Sequence, residues 1–460
     1  MNNLTRLISP VESIFSLSPF SVVAMIFRIK GHISKEQLNN AINSVEKKHP
    51  LLQVKISTDE NNEKIYTSDN TELIELKTIQ RKNENHWIDE YHNQCLIPFD
   101  FNNKPSIRFI LLQSKDKCDL IIFSHHIICD GLSLAYLGRD ILAFIGNSSK
   151  TTPETLDTIP ITKDNIPVEL QQNWLIKKVI TKMNNKFNEE RVYFSFDDYK
   201  ELHKAYWENY IHKMITIELS EEQTASIIES CKSQKVSVNS AISTAIIGAQ
   251  QLTLDYKLHK RNSIAVSIRD KIPHNPGEGM GFYAGSIDIP FVYNVKKDIW
   301  KNAIKFHKKV KSNFTIKNIF KNIFNWCYLE PGIMESIHFK ILGTLFKNQD
   351  NDKLYSYSKR EDVVASILQR EKMNSLNNKI MGTAITNLGN LNFSEKFGEL
   401  QLDSIIMNPG GAFPLTMVEI VASVVTTSKK MTILLEFEEN RISQNRAQDI
   451  KNQFMKLLGL

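Results

Sequence analysis

The segment Leu120–Ser133 reads Leu-Ile-Ile-Phe-Ser-His-His-Ile-Ile-Cys-Asp-Gly-Leu-Ser. Its four apolar residues are followed by polar ones, which predicts a short buried strand. Two histidines, His125 and His126, end that strand, and Asp130 follows after a short spacer. An imidazole with an ordinary pKa of about 6.5 accepts a proton near neutral pH. The pattern therefore favours a general base at His126, with Asp130 either orienting the ring or holding the loop through an ion pair.

The local pattern also permits simpler explanations. Two histidines after a strand are often only polar residues at a strand–loop junction, and Asp-Gly is a common turn dipeptide. Gly131 lets the backbone turn with positive φ or lets its N–H approach a ligand closely. A metal site is disfavoured, because His125 and His126 point to opposite sides of a strand and no second His or Cys cluster lies near them in the sequence. Cys129 is an alternative nucleophile, but its apolar neighbours Ile127 and Ile128 argue against a reactive thiol.

Residues 125–131, His-His-Ile-Ile-Cys-Asp-Gly, resemble the HHxxxDG signature of the chloramphenicol-acetyltransferase-like acyltransferases. This superfamily includes nonribosomal-peptide condensation domains, polyketide-associated acyltransferases, alcohol acetyltransferases and wax-ester synthases. The resemblance implies that the second histidine, His126, is the catalytic base. It also implies that Asp130 is mainly structural and forms a salt bridge with an arginine from the other half of the protein. His125 and Asp130 would shape the loop, and the Gly131 N–H is a candidate for stabilising an oxyanion.

Arg269 is the candidate partner of Asp130, because it ends a strand predicted over residues 263–268, early in the second half of the chain. The superfamily has an arginine at this place. From the local sequence alone, a surface arginine beside its neighbour Asp270 is the more common arrangement. If the long-range pair is buried, removal of either partner would leave an unpaired charge.

Three further segments resemble motifs of the same superfamily, in the same order along the chain, and a fourth lies only at the position of such a motif. Residues 98–100 (Pro-Phe-Asp) with Arg108 resemble the element that precedes the histidine motif. Residues 279–285 resemble the strand after the arginine and are not a dinucleotide fingerprint, since no phosphate-binding helix follows. Residues 384–390 resemble the Asn-Leu-Gly strand. Residues 408–414 fall where some members carry DFGWG, but they differ from it, so we assign them no role.

The composition is that of an ordinary globular protein, with 460 residues, 42% of them hydrophobic and 23% charged. A net charge of +6 is too small to argue for nucleic acid. Five cysteines without CxxC spacing predict reduced thiols and a cytoplasmic location. The apolar residues 19–27 predict a strand and no signal peptide, and residues 51–56 predict another strand. No run reaches the roughly 18 apolar residues of a membrane span.

Two helix starts have the same form. Ser34 with Gln37 and Ser220 with Gln223 each match a capping box, and each follows a predicted strand. The repetition is weak, but it agrees with two halves of like topology.

The length and the resemblance together predict an α/β (α+β) protein of two chloramphenicol-acetyltransferase-like lobes with a tunnel between them. Each lobe would contain a mainly mixed or antiparallel sheet flanked by helices. We place the N-terminal lobe at residues 1–180, a crossover linker at 181–210 and the C-terminal lobe at 211–460.

The resemblance implies transfer of an acyl group from a thioester to a hydroxyl or amine, without a covalent acyl-enzyme. No cofactor would stay bound, and the thioester of coenzyme A or of phosphopantetheine on a carrier protein would be a co-substrate. The alternatives are an amide-forming condensation domain acting in trans and a non-catalytic carrier-docking relative. We expect a monomer that binds a small-molecule or lipid acceptor and no nucleic acid, with an acyl or peptidyl carrier protein as a candidate partner and contact with a membrane surface left open.

Residues 296–324 carry nine lysines and one acidic residue. Apolar residues recur among the lysines at heptad-like spacing, which predicts helices that cover a core with a solvated lysine face. The other interpretation is a basic surface for an acidic carrier protein, for the phosphates of coenzyme A or for anionic lipid.

Overall fold

The computed structural model describes residues 4–147, 154–170, 174–256, 260–347, 352–378, 381–410 and 418–460. Its strands in these ranges are β1 (Thr5–Leu7), β2 (Val22–Lys30), β3 (Lys55–Thr58), β4 (Lys64–Thr67), β5 (Glu75–Gln80), β6 (Ile107–Gln113), β7 (Lys117–His125), β8 (His212–Leu219), β9 (Arg261–Ser267), β10 (Ala284–Pro290), β11 (Met381–Asn390), β12 (Lys396–Phe397), β13 (Leu400–Asn408), β14 (Ile420–Thr427) and β15 (Lys430–Glu438). Its helices are α1 (Lys35–Lys48), α2 (His86–Cys95), α3 (Gly131–Asn147), α4 (Trp174–Glu190), α5 (Phe196–Asn209), α6 (Glu221–Ser233), α7 (Val238–Thr253), α8 (Ile299–Asn313), α9 (Ile316–Ile319), α10 (Lys321–Trp326), α11 (Pro331–Leu342), α12 (Asp352–Lys359), α13 (Val363–Asn378) and α14 (Gln444–Leu458).

The first six-stranded sheet has the order β12-β13-β2-β7-β6-β5. All its pairs are antiparallel except β5 with β6. Its central strands β2 and β7 are mostly apolar and are buried along almost their whole length, and helices α2 and α3 pack against β2. Helix α3 lies directly against β2 at Gly138, where a Cβ atom would stand 2.0 Å from the Phe27 ring.

The second six-stranded sheet has the order β10-β9-β11-β14-β15-β8. Strand β11 runs parallel to β9 and β14, and the outer pairs are antiparallel. Helices α6, α7, α8 and α14 pack around this sheet. A small antiparallel sheet, β1-β4-β3, completes the strand arrangement. Two mixed sheets flanked by helices confirm the predicted fold class.

Sheet membership does not follow the order of the chain. Strands β12 and β13 lie beyond residue 390, yet β13 pairs with β2 of the first sheet, with Asn408 opposite Ala24. Without β13, the apolar strand β2 would form an exposed sheet edge. The lobe bounds remain a prediction, but residues 396–408 must be assigned to the first sheet. The predicted linker region is itself helical, since α5 and the end of α4 lie within it.

Both predicted capping boxes are present, at Ser34 and at Ser220. A strand predicted over residues 51–56 is wrong in its first half, because Pro50–Gln53 forms a 3₁₀ turn and β3 starts only at Lys55. Proline at the start of that turn fixes a helical φ, which explains the difference.

The lysine-rich residues 296–324 form α8 and the short helices α9 and α10. Helix α8 buries Ile299, Ala303 and Phe306 against the second sheet, so its lysines lie on the outer side. Within the described ranges, none of the helices combines the length and the apolar character that crossing a bilayer requires.

Candidate active site

The two histidines at the end of β7 point in different directions. His125 is fully buried, its Nε2 lies 2.9 Å from the Ser18 carbonyl oxygen, and its ring meets Phe99 and Phe101 edge-on at 5.6 and 5.1 Å. Burial lowers the pKa of His125 to about 3, so this ring stays neutral and structural. His126 is only partly buried and begins the loop that leads to α3.

The imidazole of His126 lies between two backbone carbonyls. Its Nδ1 is 3.1 Å from the Cys129 oxygen, and its Nε2 is 3.3 Å from the Pro409 oxygen. Burial lowers the pKa of His126, although both carbonyls favour the protonated ring, so the neutral form predominates. A neutral imidazole has one N–H, and we assign it to Nδ1 because that contact is shorter. Nε2 then carries the lone pair that accepts a proton.

Three residues around His126 were not predicted from the sequence. The rings of Phe15 and Phe282 lie 5.3 and 5.6 Å from the imidazole and 4.6 Å from each other. Pro409 approaches because β13 ends beside Val22, where Gly410 adopts a φ of +84° and a Cβ atom would stand 2.1 Å from the Val22 oxygen. The sequence signals were the positions of residues 279–285, which include Phe282, and of residues 408–414, of which 411–414 lie outside the described residues.

Asp130 makes four hydrogen bonds in a buried position. Its Oδ1 accepts from the Ser133 N–H at 2.7 Å, from the Ser133 hydroxyl at 2.8 Å and from Arg269 Nη2 at 3.0 Å. Its Oδ2 accepts from the Tyr283 N–H at 3.0 Å. The bond to Ser133 N–H is that of a helix N-cap, so Asp130 also starts α3. Burial would raise the pKa of Asp130, but the Arg269 charge and the Ser133 bonds outweigh it and hold this pKa below its usual range.

The predicted partner Arg269 reaches Asp130 from the second half of the chain. Its guanidinium also donates to the Gly277 and Gly279 carbonyls at 3.0 and 2.8 Å and to the Ser133 hydroxyl at 2.8 Å. Only 6% of Arg269 and 5% of Asp130 are exposed. The predicted ion pair is therefore present and buried, and it ties the loop after β7 to the strand end after β9.

Gly131 is the first residue of α3, and the N–H groups of a first helical turn have no acceptor within the helix. A Cβ atom here would stand 2.7 Å from Met407 Sδ and 3.3 Å from Leu388 Cδ2, so Gly131 lies where β13 and β11 approach the helix start. Cys129 is buried, with its Sγ 3.2 Å from the Ser124 hydroxyl, and burial raises the pKa of its thiol. This thiol is therefore unreactive at neutral pH.

We predict that Asp130→Asn lowers the free energy of unfolding by about 3–5 kcal/mol, because the buried guanidinium of Arg269 loses its countercharge. Urea unfolding at neutral pH, followed by circular dichroism, measures the loss.

Asp197→Asn is the matched control. It removes an acid from the Asp197–Lys200 pair, whose side chains are 88% and 55% exposed. Such a pair contributes less than about 1 kcal/mol. Equal losses in the two variants would contradict a structural role for the buried pair.

Comparison with known proteins supports the resemblance. Residues 11–161 match the family model described as Condensation domain. Over 133 residues the chain is 25% identical to Surfactin synthase subunit 2 of Bacillus subtilis (strain 168), which covers 29% of this chain and 4% of that protein. Over 133 residues it is 29% identical to Bacitracin synthase 1 of Bacillus licheniformis, covering 27% of this chain and 2% of that one. The chain thus spans only a few per cent of the length of these relatives.

Solved structures match over nearly the whole chain. A trichothecene 15-O-acetyltransferase from Fusarium sporotrichioides has a TM-score of 0.64 at 12% identity, covering 99% of this chain and 95% of that one. The epimerization domain from the third module of tyrocidine synthetase B has a TM-score of 0.62 at 13% identity, covering 99% and 96%. Identities this low show the fold alone. A Condensation domain match over residues 11–161, together with a two-lobed fold shared with these structures over nearly the whole chain, agrees with the chloramphenicol-acetyltransferase-like fold that the sequence resemblance predicts.

Proposed function

We propose that this protein transfers an acyl group from a thioester to a hydroxyl or amine, with His126 as the general base. One observation carries the proposal. His126 Nδ1 lies 3.1 Å from the Cys129 carbonyl oxygen, which fits a neutral ring with its proton on Nδ1 and a free lone pair on Nε2. The Condensation domain match and the acetyltransferase named among the structural neighbours support this class of reaction.

In the proposed reaction the acceptor's O–H or N–H binds Nε2 of His126 in place of the Pro409 carbonyl. As the acceptor atom bonds to the thioester carbonyl carbon, its proton moves to Nε2 and the carbonyl oxygen becomes an oxyanion. Collapse of this intermediate breaks the C–S bond, and the departing thiolate takes the proton from the imidazolium. The thiol product is coenzyme A or the phosphopantetheine arm of a carrier protein.

The surroundings of His126 fit the charged intermediate. An imidazolium has two N–H groups, and the Cys129 and Pro409 carbonyls lie at 3.1 and 3.3 Å from the two ring nitrogens. The Cys129 carbonyl accepts the Nδ1–H throughout, and the Pro409 carbonyl accepts the Nε2–H after the acceptor's proton has moved to the ring. The N–H of Gly131 is our candidate for stabilising the oxyanion, because it points from a helix N-terminus without an intrahelical acceptor.

A second candidate function is amide formation between carrier-bound substrates, which the matched family model favours. The two candidates share His126 and differ in donor and acceptor. The two functions are distinguished by measuring thiol release with alcohols or amines as acceptors and with acyl-CoA or acyl-carrier thioesters as donors. A non-catalytic carrier-docking relative would release no thiol with any pair. We place the protein in the cytoplasm, since all five cysteines are buried and unpaired.

We predict that His126→Ala lowers acyl transfer by roughly 10²–10⁴-fold, since the general base is lost. Release of free thiol from acyl-CoA in the presence of an alcohol or amine measures the rate, and circular dichroism shows that the fold is kept. His307→Ala, which alters a partly exposed histidine on α8, is the control and should leave the rate unchanged. Turnover near the normal rate in His126→Ala would refute the role of this residue.

We predict that kcat/KM stays constant as the pH falls from 8 to the usual histidine pKa of about 6.5 and decreases only below it. Burial lowers the pKa of His126, so the ring remains neutral and able to accept a proton at pH values where a free histidine is half protonated. A pH–rate profile gives the apparent pKa. An acid limb centred above 6.5 would contradict a buried neutral base.

We predict that Gly131→Pro lowers kcat by roughly 10²–10³-fold relative to Gly131→Ala, because proline has no N–H for the oxyanion. Alanine is the matched control, since it places the same Cβ atom against Met407 and keeps the N–H. Proline is tolerated at the first position of a helix, which keeps α3 intact. Equal kcat values for the two variants would exclude the Gly131 N–H as an oxyanion donor.

A further inference from the structure

Helix α4 begins with apolar side chains on its surface. Trp174 is 70% exposed, Leu175 is 56% exposed and Val179 is 67% exposed. A single exposed apolar residue needs no explanation, but three within two turns of one helix form a patch.

The patch continues a stripe that ends in the protein core. Leu175, Val179, Met183 and Phe187 are spaced by four and therefore share one side of the helix. Phe187 is 3% exposed and packs in a cluster with residues of α11 and α13, and Met183 packs against the same cluster. The C-terminal residues of this stripe are thus buried in the core, and its N-terminal residues are exposed.

The C-terminal half of α4 is also fixed by polar contacts. The Asn184 side chain donates to the Tyr328 carbonyl at 2.9 Å and accepts from the Glu330 N–H at 3.2 Å. Because these contacts involve the second half of the helix, the exposed first turns are held in a set orientation by the rest of α4.

Lysines accompany the apolar stripe. Lys178, Lys182 and Lys186 are also spaced by four, and Lys177 adds a fourth positive charge. Lys186 lies 3.5 Å from Glu190, at the far end of the helix. Residues 174–188 contain no aspartate or glutamate. The first turns of α4 therefore combine exposed apolar side chains with lysines that have no acidic residue beside them on the same stretch of helix.

We propose that the first two turns of α4 insert into the interfacial region of an anionic lipid bilayer. Tryptophan and aliphatic side chains bury favourably at the boundary of headgroups and acyl chains. Lysines beside them gain from the negative potential of anionic lipid. A protein partner would be expected to cover about 800 Å² of this chain. Three apolar side chains at one end of a helix suit shallow insertion better than an interface of that size.

The test measures flotation of the full chain with vesicles of phosphatidylcholine containing phosphatidylserine, against vesicles of phosphatidylcholine alone. We expect binding to the anionic vesicles, and roughly tenfold weaker binding for Trp174→Ser combined with Leu175→Ser and Val179→Ser. A blue shift of tryptophan emission on adding anionic vesicles, absent from this variant, would place Trp174 in the lipid. The residues are exposed, so the fold and the turnover of water-soluble substrates should not change.

Two double variants distinguish attraction of the vesicles by the lysines of α4 from attraction by positive charge elsewhere on the protein. Lys178→Glu with Lys182→Glu should weaken binding roughly tenfold. Lys305→Glu with Lys308→Glu makes the same change on α8, where both lysines are exposed, and should leave binding unaltered.

Absence of vesicle binding by the unaltered chain would overturn the proposal, as would equal losses in the α4 and α8 variants. An acidic acyl carrier protein gives the remaining comparison. If the α4 variants lose affinity for it and keep their affinity for vesicles, α4 is a protein-docking surface and the lipid proposal is wrong.

Discussion

A buried carboxylate and a buried guanidinium, Asp130 and Arg269, meet at 3.0 Å where the two halves of the chain join. Burying two charges is costly unless their remaining hydrogen-bonding groups are satisfied. Here Ser133 and the Tyr283 N–H satisfy the carboxylate, and two backbone carbonyls accept from Nη1 of the guanidinium, while its buried Nε has no hydrogen-bond partner among the described residues. The pair also includes the N-cap of α3, so the start of that helix depends on a residue from the other half.

Strand β13 makes a second connection of the same kind. It pairs with β2 along the first sheet, while three of its carbonyls accept hydroxyl groups of β14, of β15 and of the turn between them: Ser423 donates to Met407, Thr432 to Ile405 and Ser428 to Leu402. The strand therefore belongs to one sheet by its backbone ladder and to the other by side-chain bonds. Its end at Asn408 is fixed by both, and Pro409 follows directly.

The sequence was sufficient for those parts of the site that are encoded locally. The order of residues 125–131 located the imidazole that we propose as the base, and a predicted strand ending before Arg269 supplied a partner for Asp130 that the structure brings within bonding distance. The capping residues at Ser34 and Ser220 fixed helix starts for the same reason, because each bond spans only three residues.

What could not be predicted depends on long-range pairing. An apolar strand such as β13 is able to pair with either sheet, and the sequence of residues 400–408 does not determine which sheet it joins. Phe15 and Phe282 are ordinary apolar residues in the sequence, and only the fold brings them to one imidazole. A strand predicted at residues 51–56 failed for a different reason, since a proline outweighed the apolar pattern that followed it.

Long-range pairing also sets the chemistry of His126. Burial lowers the pKa of the ring, which keeps it unprotonated in the resting protein, whereas the carbonyls of Cys129 and Pro409 favour the imidazolium. In the resting protein the effect of burial on the pKa is larger than that of the two carbonyls. Once the ring is charged, its hydrogen bonds to both carbonyls become stronger. One carbonyl comes from the loop of His126 itself and the other from the end of β13. The stability of the protonated base thus depends on the position of a strand that both sheets hold, and any movement of β13 relative to β2 changes the proton affinity of Nε2.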